Sequence, residues 1–129
     1  MKADYQKGKV LAMGKKVDIG IDVHKEKWHV TALVEGEEVF NGSMPSHYYS
    51  LKKLLDRFKD CRIKVAYEAG PCRFTLYDGL IADGIETIVV LPSLIPIESG
   101  NKVKTDKRDS RKLAKLLESN MLKLPTNVV

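Results

Sequence analysis

Three strand-like stretches joined by short turns precede any helical one, and this order restricts the fold more than any other feature of the chain. Val17, Ile19 and Ile21 alternate with Asp18, Gly20 and Asp22, the pattern of a half-buried strand. A short turn at 23–26 leads into a second strand over 27–34, and Glu35-Gly36-Glu37 turns the chain into a third over about 37–43. Connections this short make antiparallel hairpins. After Pro45 the period changes. Ser46 is the expected N-cap of a helix whose Leu51, Leu54, Leu55 and Phe58 recur at helical spacing. A strand over 62–67 follows and is broken by Gly70-Pro71. A second helix over 72–82, carrying Phe74, Leu76 and Leu80, ends at Asp83-Gly84. Residues 85–91 form a short apolar strand, Pro92 and Pro96 bound a loop reaching about Thr105, and a third helix covers about 106–119. The order β-β-β-α-β-α-β-α predicts an α/β fold: a five-stranded mixed sheet flanked by helices. Its last two strands, reached through helical crossovers, should lie parallel to their neighbours.

At 129 residues the chain is sized for one domain with its own core. We expect that domain over 16–120, with a flexible tail at 1–15 and the start of a linker at 121–129. No apolar run approaches the ~20 residues that span a bilayer, and no signal-peptide pattern opens the chain. Cys61 and Cys72 are the only cysteines and do not form a CxxC pair, so packing roles in a reducing cytoplasm are the simpler reading. Trp28 reads as half-buried core. The formal net charge is +5, which leans towards a polyanionic partner. The charge is concentrated: Lys102, Lys104, Lys107, Arg108, Arg111 and Lys112 crowd one window, and Lys25 and Lys27 follow the first strand. Such cations suit phosphate contacts, which position a nucleic acid without reading its sequence.

Four carboxylates stand out against this background. Asp22 closes the first strand and Glu68 closes the fourth, so both belong at the carboxyl edge of the sheet, where open α/β sheets hold ligands. Asp106 and Asp109 are three apart in the expected third helix and would share one helix face. Each has a bland explanation alone, as a turn cap, a surface acid or a first-turn complement to the helix dipole. Together they form a hard oxygen set suited to Mg²⁺ or Mn²⁺. His24, His29 and His47 show no metal-ligand spacing.

At these residues the chain resembles a known family. Ile19-Gly20-Ile21-Asp22-Val23-His24-Lys25, Tyr67-Glu68-Ala69-Gly70 and Lys104-Thr105-Asp106-Lys107-Arg108-Asp109 are similar, in order and spacing, to the three signature blocks of the DEDD-motif transposases of the insertion sequence 110 family, relatives of the Piv-type invertases. The resemblance covers roughly 16–120. It implies an RNase H-like fold of the RuvC kind. It also implies Asp22, Glu68, Asp106 and Asp109 as catalytic ligands of Mg²⁺, and metal-dependent DNA cleavage and strand transfer in transposition. Members of the family are longer, with a coiled-coil insertion and a C-terminal domain carrying a proposed serine nucleophile, so this chain resembles their N-terminal catalytic domain. The resemblance further implies a prokaryotic, nucleoid-associated setting, a homo-oligomer in the full-length protein, and room for a structured guide RNA as partner.

Two other classes stay open from the residues alone. A non-catalytic nucleic-acid-binding scaffold would bind DNA without needing the acids. A fragment of an actin-like ATPase or sugar kinase would use Asp18-Ile19-Gly20-Ile21-Asp22 as a phosphate loop, but the usual Thr or Ser after the glycine and a glycine-rich adenosine loop are missing.

Overall fold

The computed structural model describes residues 14–69, 75–90, 93–97, 102–106 and 109–122, with 93–97 and 102–106 described as backbone only. The expected Gly70-Pro71 break, Phe74, Cys72 and most of both chain ends lie outside these residues.

The first three strands form two hairpins. β1 (Lys16–Val23), β2 (Lys27–Val34) and β3 (Glu37–Pro45) are antiparallel neighbours. The β2–β3 turn has Glu35 at φ 50° and Gly36 at φ 85°, and a two-residue hairpin turn of this handedness matches the right-handed twist of the strands it joins. After β3 come α1 (Tyr48–Leu55), a single 3₁₀ turn (Asp56–Phe58) and β4 (Arg62–Glu68). α2 (Thr75–Ala82) then crosses to β5 (Glu86–Val90). β4 is parallel to β1 and β5 is parallel to β4, giving the order β3-β2-β1-β4-β5. The expected mixed five-stranded sheet is therefore present.

The two faces of the sheet differ in character. Val17, Ile19 and Ile21 of β1 point to one face and pack with Val65 and Tyr67 of β4, Leu51 and Leu54 of α1, and Leu76 and Leu80 of α2. Fully burying a large apolar side chain contributes roughly 1.5–3 kcal/mol, and this layer holds most of the buried ones. The other face is covered by α3 (Ser110–Glu118), whose Leu113 and Leu117 pack on Ala66 and Ile88.

Four local expectations need correction. The helix expected over 106–119 begins at Ser110, because Asp109 is its N-cap, and Asp106 is the last residue of a strand. Asp106 and Asp109 therefore do not share a helix face. The stretch expected to be a loop holds an antiparallel hairpin, β6 (Ser93–Ile97) with β7 (Lys102–Asp106). Pro96 pairs with Val103 there, which is tolerable because a two-stranded ribbon consists only of edges. α1 is capped at His47 without a side-chain bond, while the Ser46 hydroxyl donates instead to the Lys25 carbonyl at 2.9 Å. Trp28 is core rather than half-buried, at 3% exposed.

Candidate metal and nucleic-acid site

Strand register fixes the first two acids. β1 and β4 run side by side up to the pair Ile21–Tyr67, so Asp22 and Glu68 are the next residues along on neighbouring parallel strands. Alternation puts both on the same face as Gly20 and Ala66, the face covered by α3. The Asp22 side chain is 19% exposed, and its Oδ2 lies 3.1 Å from Nε2 of His24 in the adjoining turn.

The direction of α3 supplies the third acid. A Cβ on Gly20 would lie 2.1 Å from the Ser110 carbonyl oxygen and 2.5 Å from the Ala114 nitrogen, so the start of the helix rests directly on Gly20. At the other end, Lys16 Nζ donates to the Glu118 carbonyl at 2.8 Å. The helix therefore runs antiparallel to β1, and its N-terminus points to the edge where Asp22 and Glu68 sit. Asp109 stands at that N-terminus. Its Oδ1 accepts from the Lys112 backbone N–H at 2.8 Å, so one oxygen of this carboxylate is already spent as a helix cap. Asp106 ends β7 shortly before it, with its side chain outside the described residues.

A buried polar chain anchors this helix start. Ser110 Oγ and Thr31 Oγ1 are 2.8 Å apart, and Asn41 Nδ2 donates to Thr31 Oγ1 at 2.8 Å. Asn41 Oδ1 lies 2.8 Å from His29 Nε2, and Ser43 Oγ lies 3.1 Å from His29 Nδ1. His29 is the cross-strand partner of Asp22, and Thr31 is that of Gly20. No sequence motif marks a role for His24 or this polar network. The short turn between Val23 and Lys27 fixes the β1–β2 register that sets His29 opposite Asp22, a pairing that no residue pattern in the sequence marks.

Asp18 is on the same face, but α3 covers it and separates it from Asp22. It is 0% exposed, neither oxygen has a hydrogen-bond partner, and the nearest cation is Lys16 at 3.9 Å. Burial pushes its carboxyl above the ordinary range, and Lys16 and Lys64 only partly oppose this.

The expected phosphate-contacting cations are distributed unevenly. Lys25 and Lys27 are exposed beside the β1–β2 turn, and Lys112 is exposed on the first turn of α3. Arg111 is engaged by Glu38, through Nε at 2.8 Å and Nη2 at 3.2 Å. This contact holds the Glu38 carboxyl below its usual range and raises the guanidinium. Lys102 and Lys104 are on β7, while Lys107 and Arg108 lie outside the described residues.

Among the described residues, no three His, Cys, Asp or Glu side chains stand close enough together to hold a metal ion. Asp22 and Glu68 nonetheless fit one in kind, as two hard-oxygen donors on adjacent strand ends, with Asp109 facing the same edge.

A mixed sheet of this order, flanked by helices and carrying acids at its carboxyl edge, defines the RNase H-like and actin-like class of α/β folds. Consistent with that, a solved Bacteroides thetaiotaomicron protein with an actin-like ATPase fold and unknown function superposes with a TM-score of 0.50 at 11% identity, over 67% of this chain and 37% of its own. That likeness shows the fold alone. The model of the IS110-type DEDD transposase family matches residues 19–127. The chain belongs to that family. It is 36% identical to the transposase for insertion sequence element IS1533 of Leptospira borgpetersenii, over 83% of this chain. It is 35% identical to "Putative transposase y4qE" of Sinorhizobium fredii, over 89% of this chain. The chain spans about a third of the length of these relatives, 32% and 31%.

Proposed function

We propose that this chain is the metal-binding catalytic portion of a DNA transposase, with Asp22, Glu68, Asp106 and Asp109 as the ligands of Mg²⁺ or Mn²⁺. The reading is supported by the placement of Asp22 and Glu68 on adjacent strand ends, at the edge to which the Asp109 end of α3 points. The bound metal would polarise a phosphodiester and activate an attacking oxygen. The protein residues would set the geometry: Gly20 lets α3 approach, the Thr31–Ser110 pair fixes the helix start, and His24 orients Asp22. Lys25, Lys27, Lys102, Lys104, Lys107, Arg108 and Lys112 would track the DNA backbone. Arg111 would have to exchange Glu38 for a phosphate to join them. A homo-oligomer and a guide RNA belong to the full-length protein under this reading.

Paramagnetic Mn²⁺ at substoichiometric level tests it. Amide signals of Asp22, Glu68 and Asp109 should broaden first, while those of Lys16 and Arg62, at the opposite edge, stay sharp. Uniform broadening, or broadening centred elsewhere, rejects the site.

A further inference from the structure

The β6–β7 ribbon is rooted at the carboxylate edge. Its base is the register pair Ser93–Asp106. Ser93 comes three positions after Val90, the last residue of β5, and Asp106 comes three before Asp109, the cap of α3. Three residues span at most about 10 Å, so both sides of the base are tethered within that reach of the edge. Val90 is itself the register partner of Glu68, and its carbonyl accepts from the Ala69 N–H at 2.8 Å. β7 runs towards this base. Alternation puts Lys102, Lys104 and Asp106 on one face of the ribbon, with Val103 and Thr105 on the other. The cross-strand partners of the three are Ile97, Ile95 and Ser93, so Asp106 is the one acid on the described strands of the ribbon, and it stands at the base. Among the described residues, β6 and β7 pair with no third strand.

We infer that Lys102, Lys104 and Asp106 form a ladder in register with three consecutive phosphates of one DNA strand. Residues two apart along a strand are about 6.8 Å apart, a distance similar to that between successive phosphates of a DNA strand. The two lysines take two phosphates in turn, and the next phosphate falls at Asp106, beside Asp109 and the partner of Glu68. Two cations in line suit a polyanion, and an acid continuing the same row faces a phosphate favourably only across a shared cation. The inference rests on the transposase reading. It adds a register to it: the phosphate presented to the acids is the one next to the phosphate held by Lys104.

Binding of a short DNA duplex to the whole chain is measured in EDTA over a range of salt concentrations. Lys102→Ala and Lys104→Ala should each reduce the slope of log affinity against log salt by about 0.9, and the double variant by about twice that. Lys104→Ala/Thr105→Lys restores the charge on the opposite face and should keep the slope of Lys104→Ala. Asp106→Asn should tighten duplex binding in EDTA by about two- to fivefold, because a carboxylate no longer faces a phosphate. Melting curves confirm that each variant is folded. Slopes unchanged by both single lysine substitutions overturn the ladder. Recovery of the wild-type slope in Lys104→Ala/Thr105→Lys does the same, since net charge alone would then explain the effect. Unchanged or weaker binding by Asp106→Asn removes Asp106 from the row and overturns the register. The same lysine dependence on an RNA duplex, at equal or higher affinity, overturns DNA as the occupant. A wild type that binds no duplex overturns the transposase reading together with the ladder, whereas a bound duplex indifferent to Lys102 and Lys104 overturns the ladder alone.

Discussion

Gly20 decides how closely α3 can lie on the sheet. With a Cβ 2.1 Å from one backbone atom and 2.5 Å from another, neither of which can swing away, Gly20→Ala must displace the helix. We expect a loss of about 3 kcal/mol or more, read from denaturant unfolding, since overpacking already costs 1–3 kcal/mol where side chains can yield. Asp18 makes the opposite prediction. Its carboxyl titrates above the ordinary value of 3.8 in the fold. An acid with a raised folded value is equally protonated in both states at low pH. Its fold then loses stability as pH rises through that value. Asp18→Asn should therefore match the wild type near pH 3 and exceed it in stability at pH 8. Melting curves across that range check it. A gain that is the same at both pH values would mean the charge is not the cause.

At the scale of the element, α3 separates two roles that one residue combines. Asp109 caps the helix and is also a candidate metal ligand. Asn caps about as well as Asp, whereas Ala loses about 1 kcal/mol. Asp109→Asn should thus keep the wild-type melting temperature and weaken Mn²⁺ binding, and Asp109→Ala should lose both. If Asp109→Asn binds Mn²⁺ as tightly as the wild type, the residue is a cap only. The same helix shows where the sequence was and was not legible. Turn spacing and apolar periodicity located all five sheet strands and the crossovers, because the face of β1 and β4 under α1 and α2 is buried and apolar. The start of α3 was misplaced by about one turn. Lys102 to Asp106 is polar enough to pass for a helix lead-in, and Pro96 argued against a strand partner. A two-stranded ribbon needs neither a buried face nor every backbone donor, so it leaves little trace in hydropathy.

For the whole molecule, the sheet divides the work. The face under α1 and α2 is apolar and supplies the core. The face under α3 mixes Gly20, Asp22, His29, Thr31 and Glu68 with few apolar residues, which stabilises less but points chemical groups at one edge. Asp22 and Glu68 could be singled out from sequence because each ends an apolar strand. Their partners His24 and His29 could not be singled out, since contact across a turn or a hairpin depends on register rather than on residue type. Among the described residues no helix is long and apolar enough to cross a membrane.

Calorimetric titration of Mn²⁺ into the wild type and into Asp22→Asn, Glu68→Gln and the double Asp106→Asn/Asp109→Asn variant tests the shared site most directly. A shared site requires saturable binding by the wild type that is lost in all three. Binding that survives these substitutions unchanged would contradict it, because the four acids would then not meet at one ion.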